Sequence, residues 1–177
     1  MKNILFAVTF CLTLTAFAKK EEHRHHGAHH HGAGTLGIAF DGLNAKIEFK
    51  TPSDSVIGFE YTPKSEKDKA TKKMQLDKLE SKIAEMIVFD PSAKCQISKE
   101  KVEVVKDEAE SKETHSEHSD TIANFNVTCE KSIVGTKIVF NFQKFFPKLS
   151  DLDVQVIVGD IQKAVEAKKD GTTVEIK

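Results

Sequence analysis

Apolar and polar residues alternate in stretch after stretch of this chain, and only once, between Ser65 and Met86, does the period change. A period of two places successive side chains on opposite faces of a strand, whereas a period near 3.6 makes one stripe along a helix. Leu36, Ile38 and Phe40 alternate within Thr35–Asp41, and Ile47 and Phe49 within Lys46–Lys50. Asp41-Gly42-Leu43-Asn44 between them has turn chemistry, so the two runs predict a β-hairpin. Thr51-Pro52-Ser53-Asp54 breaks the second strand, and Val56–Tyr61 is a short apolar run closed by Thr62-Pro63.

In Ser65–Met86 the apolar positions are Leu76, Leu79, Ile83 and Met86 or Ile87, with Lys and Glu elsewhere. Ser65 followed three residues on by Asp68 resembles a capping box. One long amphipathic helix follows from this pattern. Met74 and Met86 read as core fillers rather than copper ligands, since no methionine-rich cluster accompanies them.

Beyond Pro91 the alternation returns. Cys95–Lys106 carries Cys95, Ile97, Val102 and Val104, with a bend or bulge expected at Lys99-Glu100-Lys101. Ala123, Phe125, Val127 and Cys129 form a second strand, Lys137–Phe142 a third and Asp153–Val158 a fourth. Lys169-Asp170-Gly171 reads as a hairpin turn between Ala164–Lys168 and Thr172–Lys177. Many short strands, one helix and no regular βαβ alternation give an α+β fold, mainly antiparallel β-sheet with one long amphipathic helix. Residues 35–177 are expected to make a single domain, with a flexible loop at 107–121.

The segment ahead of that domain has a different character. Lys2, the apolar run Ile4–Ala16 and the A-x-A site Ala16-Phe17-Ala18 form a secretory signal, so residues 1–18 are expected to be removed. The run is shorter than the ~20 apolar residues of a transmembrane helix, and membrane insertion after cleavage is not expected. Cys95 and Cys129 then remain, an even pair that in an exported protein favours a disulfide over a zinc site, since neither has a second Cys or a His close by. Such a bridge would close a loop of about 35 residues and contribute roughly 3–4 kcal/mol by the chain-entropy model.

Residues 19–34 hold six of the chain's eight histidines: His23, His25, His26, His29, His30 and His31. Neutral imidazole is the commonest protein ligand for borderline metals such as zinc, copper and nickel. Spacings of one to four residues, with glycines between, let several rings converge in almost any backbone conformation. The tract is therefore read as a flexible metal-binding tail. The other two histidines, His115 and His118, lie in a polar stretch between two strands, with Glu113, Glu117 and Asp120 able to complete a shell or hydrogen-bond the far ring nitrogens. A loop of that length is usually functional or disordered. Tract and loop are expected to share one ion or to carry separate ions. The net charge of −1 and the absence of a basic stripe do not suit nucleic acid. No His-Glu-x-x-His or nucleophile elbow is present, so an enzyme is not expected.

The order of these features resembles the ZrgA family of periplasmic zinc-uptake proteins. The resemblance rests on His26-Gly27-Ala28-His29-His30-His31-Gly32, on Val56-Ile57-Gly58-Phe59-Glu60, on Cys95 and Cys129 bracketing the His115/His118 loop, and on Phe146-Pro147-Lys148-Leu149 with Val154-Gln155-Val156 beyond. It covers nearly all of the chain after the signal. It implies a periplasmic protein that captures or buffers zinc and assists an ABC-type zinc importer, with a periplasmic zinc-binding protein or transporter component as partner. It also implies that His26, His29 and His31 are ligands. One departure is Tyr61, where the family often has a histidine after Gly-Phe-Glu. The competing readings are an envelope protein that senses metal or pH, and a chaperone for nickel or copper.

Overall fold

The computed structural model describes residues 31–106 and 118–177. The expected signal, most of the histidine tract and the centre of the polar loop lie outside these residues.

Strands β1 (Ala33–Asp41) and β2 (Asn44–Pro52) form the expected hairpin, paired from Thr35↔Lys50 to Asp41↔Asn44. Gly42, at φ 60°, takes the positive φ that so tight a turn needs. Four-residue helix α1 (Ser53–Val56) follows where Pro52 ends the strand, and Val56–Tyr61 is not a strand. Helix α2 (Glu66–Met86) begins at Ser65, whose hydroxyl accepts a hydrogen bond from the Asp68 amide at 3.0 Å. Its buried stripe is Leu79, Ile83 and Met86. Lys78 ties the helix to the body by donating to the Phe145 carbonyl and lying over the Phe146 ring. Met86 fills the core as expected, but Met74 does not: it falls on the solvent side of the helical stripe and is 58% exposed.

After β3 (Ile87–Phe89) comes a 3-10 turn, Pro91–Ala93, capped by Asp90. Hydrogen bonds from the Ser92 hydroxyl and amide hold the Asp90 carboxyl below the usual aspartate range. Strands β4 (Gln96–Lys106) and β5 (Ser119–Thr128) pair antiparallel, with the register shift at Lys99/Lys101 that the broken alternation foretold. Residues 119–121, expected in the loop, belong to β5, because Ser119 and Thr121 continue the inward phase of Ala123, Phe125 and Val127. The disulfide Cys95–Cys129 closes the end of this hairpin where β4 starts and β5 stops.

The remaining strands are β6 (Lys137–Phe140), β7 (Asp151–Val158), β8 (Ile161–Glu166) and β9 (Thr172–Glu175). They sort into a six-stranded sheet of order β4-β5-β2-β1-β7-β8 and a three-stranded sheet of order β3-β6-β9. The protein is thus sheet-dominated, with one long helix. One aromatic pair joins the sheets, Phe40 meeting Phe89 edge-on at 5.9 Å, and a second ties β2 to the segment just after β6, Phe49 stacking on Phe142 with centroids 5.4 Å apart.

Two pairings differ from expectation. The hairpin read at Lys169-Asp170-Gly171 is not one, since β8 pairs with β7 and β9 with β6. The tight turn is Gly159-Asp160, with Gly159 at φ 56°. Residues 169–171 instead carry the chain between sheets, held there by the Gly171 amide donating to Asn141 Oδ1 and the Phe140 carbonyl. In addition, β1 lies parallel to β7, in register from Ala33↔Asp151 to Phe40↔Val158. Both are interior strands of the sheet, and their Leu36, Ile38, Val154 and Val156 are fully buried.

Candidate metal centre

The site begins with the short helix α1. The Ile57 and Gly58 amides donate to Ser53 and Asp54, and Gly58, at φ 98°, turns the chain back over the sheet. Phe59 and Tyr61 then stack on each other at 4.6 Å, while Glu60 between them turns inward. Its side chain is only 8% exposed.

Two histidines reach this carboxylate from separate parts of the chain. His118, just before β5, brings Nδ1 to 2.6 Å from Glu60 Oε2. His31, just before β1, brings Nδ1 to 3.5 Å from Oε1. The next residue on β5 also takes part, since Ser119 Oγ donates to the Glu60 carbonyl at 2.8 Å. Oε1 is buried and has no hydrogen-bond partner among the described residues, an arrangement that costs about 1–3 kcal/mol where nothing else satisfies it. The crevice beside Glu60, lined in part by Phe59, Tyr61, Val104 and Lys106, holds about 80 Å³. That is small against the ~300–1,000 Å³ of a site for an organic ligand.

His31 owes its position to Gly32. The Gly32 amide donates to the buried Ser55 hydroxyl of α1, and its carbonyl accepts from the Ser150 and Asp151 amides at the start of β7. At φ 86° the residue is left-handed, and a Cβ there would stand 2.8 Å from Ser150 Oγ and 3.0 Å from the Lys148 carbonyl. Gly32→Ala should therefore cost about 1–3 kcal/mol of stability. It should also carry the His31 ring off Glu60. Urea unfolding and the His31 ring resonances of the same variant check both outcomes.

The other residues singled out in the sequence are distributed as follows. His23, His25, His26, His29, His30, Glu113, His115 and Glu117 lie outside the described residues. Asp120 is in β5, 7% exposed, with its carboxylate 2.8 Å from Lys50 Nζ. Cys95 and Cys129 are bonded to each other. Among the described residues, no group of three or more His, Cys, Asp or Glu surrounds a common point as ligands do. Glu60 is the member that sequence reasoning passed over as a site residue. The signal was present: it is the one acid in the apolar run Val56–Tyr61, between two aromatics.

The arrangement is two imidazoles facing one buried carboxylate, each imidazole at the edge of a histidine-bearing segment. Nitrogen and oxygen donors of this kind suit borderline divalent cations rather than soft monovalent copper. No curated protein matches the chain. A family model described as ZrgA family zinc uptake protein matches residues 28–176, which takes in the whole described fold up to Ile176. The chain belongs to the ZrgA family of zinc uptake proteins.

Proposed function

We propose that the protein is a periplasmic zinc-capture and zinc-buffering protein that assists uptake by an ABC-type importer, with histidine imidazoles as the ligands. The observation that carries this reading is the meeting at Glu60. The N-terminal tract runs into the fold at His31 and the polar loop at His118, and both rings face the same carboxylate. Histidines from the two segments are thereby brought to one corner of the domain, where a tetrahedral ion can draw its nitrogens from both. The importer and any periplasmic zinc-binding protein that receives the metal are the partners this function calls for. A receiving protein needs ligands that release as well as bind, which a site open to solvent at His31, 62% exposed, supplies.

The test is a zinc titration of Lys19–Lys177 at neutral and mildly acid pH, beside the double variant His31→Ala/His118→Ala. Imidazole ligates only when neutral, and its ordinary pKa is near 6.5. Retention should therefore be strong at pH 7.5 and fall steeply toward pH 5.5. The double variant should hold at least one ion fewer per chain. Equal zinc in both proteins, or retention that ignores acid, removes histidine ligation at this corner.

A further inference from the structure

Both rings face Glu60 with the same ring atom, Nδ1. Oε2 is 2.6 Å from His118 Nδ1 and Oε1 is 3.5 Å from His31 Nδ1. An ionised carboxylate only accepts hydrogen bonds, so a neutral imidazole that faces it with Nδ1 must carry its proton there. The lone pair is then on Nε2, on the opposite side of the ring. From this geometry, and resting on the zinc-binding reading above, we infer that Glu60 is a positioning residue and not a ligand. It sets His118, and His31 when that ring closes in, as Nδ1–H tautomers, and the divalent cation is taken by their Nε2 atoms.

Three further observations agree. The carboxylate is the most enclosed of the three side chains, at 8% exposure against 21% for His118 and 62% for His31, so a cation arriving from solvent meets the rings first. The carboxylate and the two rings do not surround a common point, since no three-donor group exists among the described residues. Among the described residues Oε1 is buried without a hydrogen bond, and the His31 ring stands just beyond the ~2.7–3.2 Å at which it would supply one. A cation that draws the two rings together closes that gap. Metal-bound histidines commonly donate their other N–H to a carboxylate, which fixes the tautomer and makes the ligand more basic. Here one carboxylate, with an oxygen for each ring, serves a histidine from each segment.

The experiment is a long-range ¹H–¹⁵N correlation spectrum of ¹⁵N-labelled Lys19–Lys177 at pH 7.5, before and during addition of zinc chloride. His118 should show a protonated Nδ1 and an unprotonated Nε2 in the absence of metal, and zinc should shift the Nε2 resonance. Glu60→Gln should erase the tautomer preference of His118. It should also weaken the zinc response of His118 about 10–100-fold, the usual effect of removing such a carboxylate. The wild-type spectra decide the matter even where the variant folds poorly. Zinc bound through Nδ1, or a zinc-induced shift of the Glu60 carboxyl ¹³C typical of direct coordination, overturns the positioning role and leaves zinc binding standing. Zinc that shifts no histidine nitrogen overturns both.

Discussion

Phe49→Ala should lower the free energy of unfolding by about 3–5 kcal/mol, the range for emptying a buried aromatic site. Phe49 is on β2, near the middle of the six-stranded sheet, and has no exposed surface. Its ring stacks on Phe142, just beyond the end of β6, at an interplanar angle of 14°. Removing it leaves a void where the two sheets meet and forfeits an aromatic pair worth about 0.5–1.5 kcal/mol beyond its buried area. Against a typical total of about 5–15 kcal/mol, that is at least about a fifth of the stability. Urea unfolding should show a much lower midpoint with an unchanged slope. Met74→Ala is the control, since Met74 is exposed on α2 and should change stability by no more than about 0.5 kcal/mol. A Phe49→Ala midpoint within error of that control would mean that the two sheets do not share one core.

The second large effect is covalent. Replacing Cys95 and Cys129 together by Ala should cost about 3–4 kcal/mol, the entropy restored to an unfolded chain once tied across 34 residues. The bridge closes one end of the β4–β5 hairpin, and His118 lies toward the other. Strand pairing from Gln96↔Thr128 to Lys106↔Ser119 separates the two. While it remains folded, the variant should bind zinc like the parent. The measurement is urea unfolding and zinc titration of the parent, with and without reductant, beside the double variant. Zinc binding that falls in the folded, reduced protein would show that the bridge shapes the site as well as the unfolded chain.

Most of the individual elements were readable because a strand's period is local. Leu36, Ile38 and Phe40 announce β1 without reference to any partner, and Ser65 with Asp68 announces the start of α2. The capping oxygen is in place where the spacing put it. Partner choice is not local. Nothing in Val154, Val156 and Val158 tells a reader that β7 will lie parallel to β1, and the Gly in Lys169-Asp170-Gly171 looks the same in a hairpin as in a crossing between sheets. The site divides in the same way. Histidines stand out by composition, so His31 and His118 were visible. That they would share one carboxylate depended on α1 folding Glu60 back beneath them, through Ser55 and Gly58, over 58 residues of separation from His118.

The union of β1 with β7 also sets an order of events for a chain made from its N-terminus. The Gly32 carbonyl takes its hydrogen bonds from Ser150 and Asp151, so the residue that seats His31 is made more than a hundred residues before the partners that complete its fastening. A nascent chain that stops short of β7 carries all of its histidines but has only the Ser55 half of this anchorage, without Ser150 and Asp151. The seat of His31 is in that sense a mark of completion, finished only in molecules whose β7 has come home.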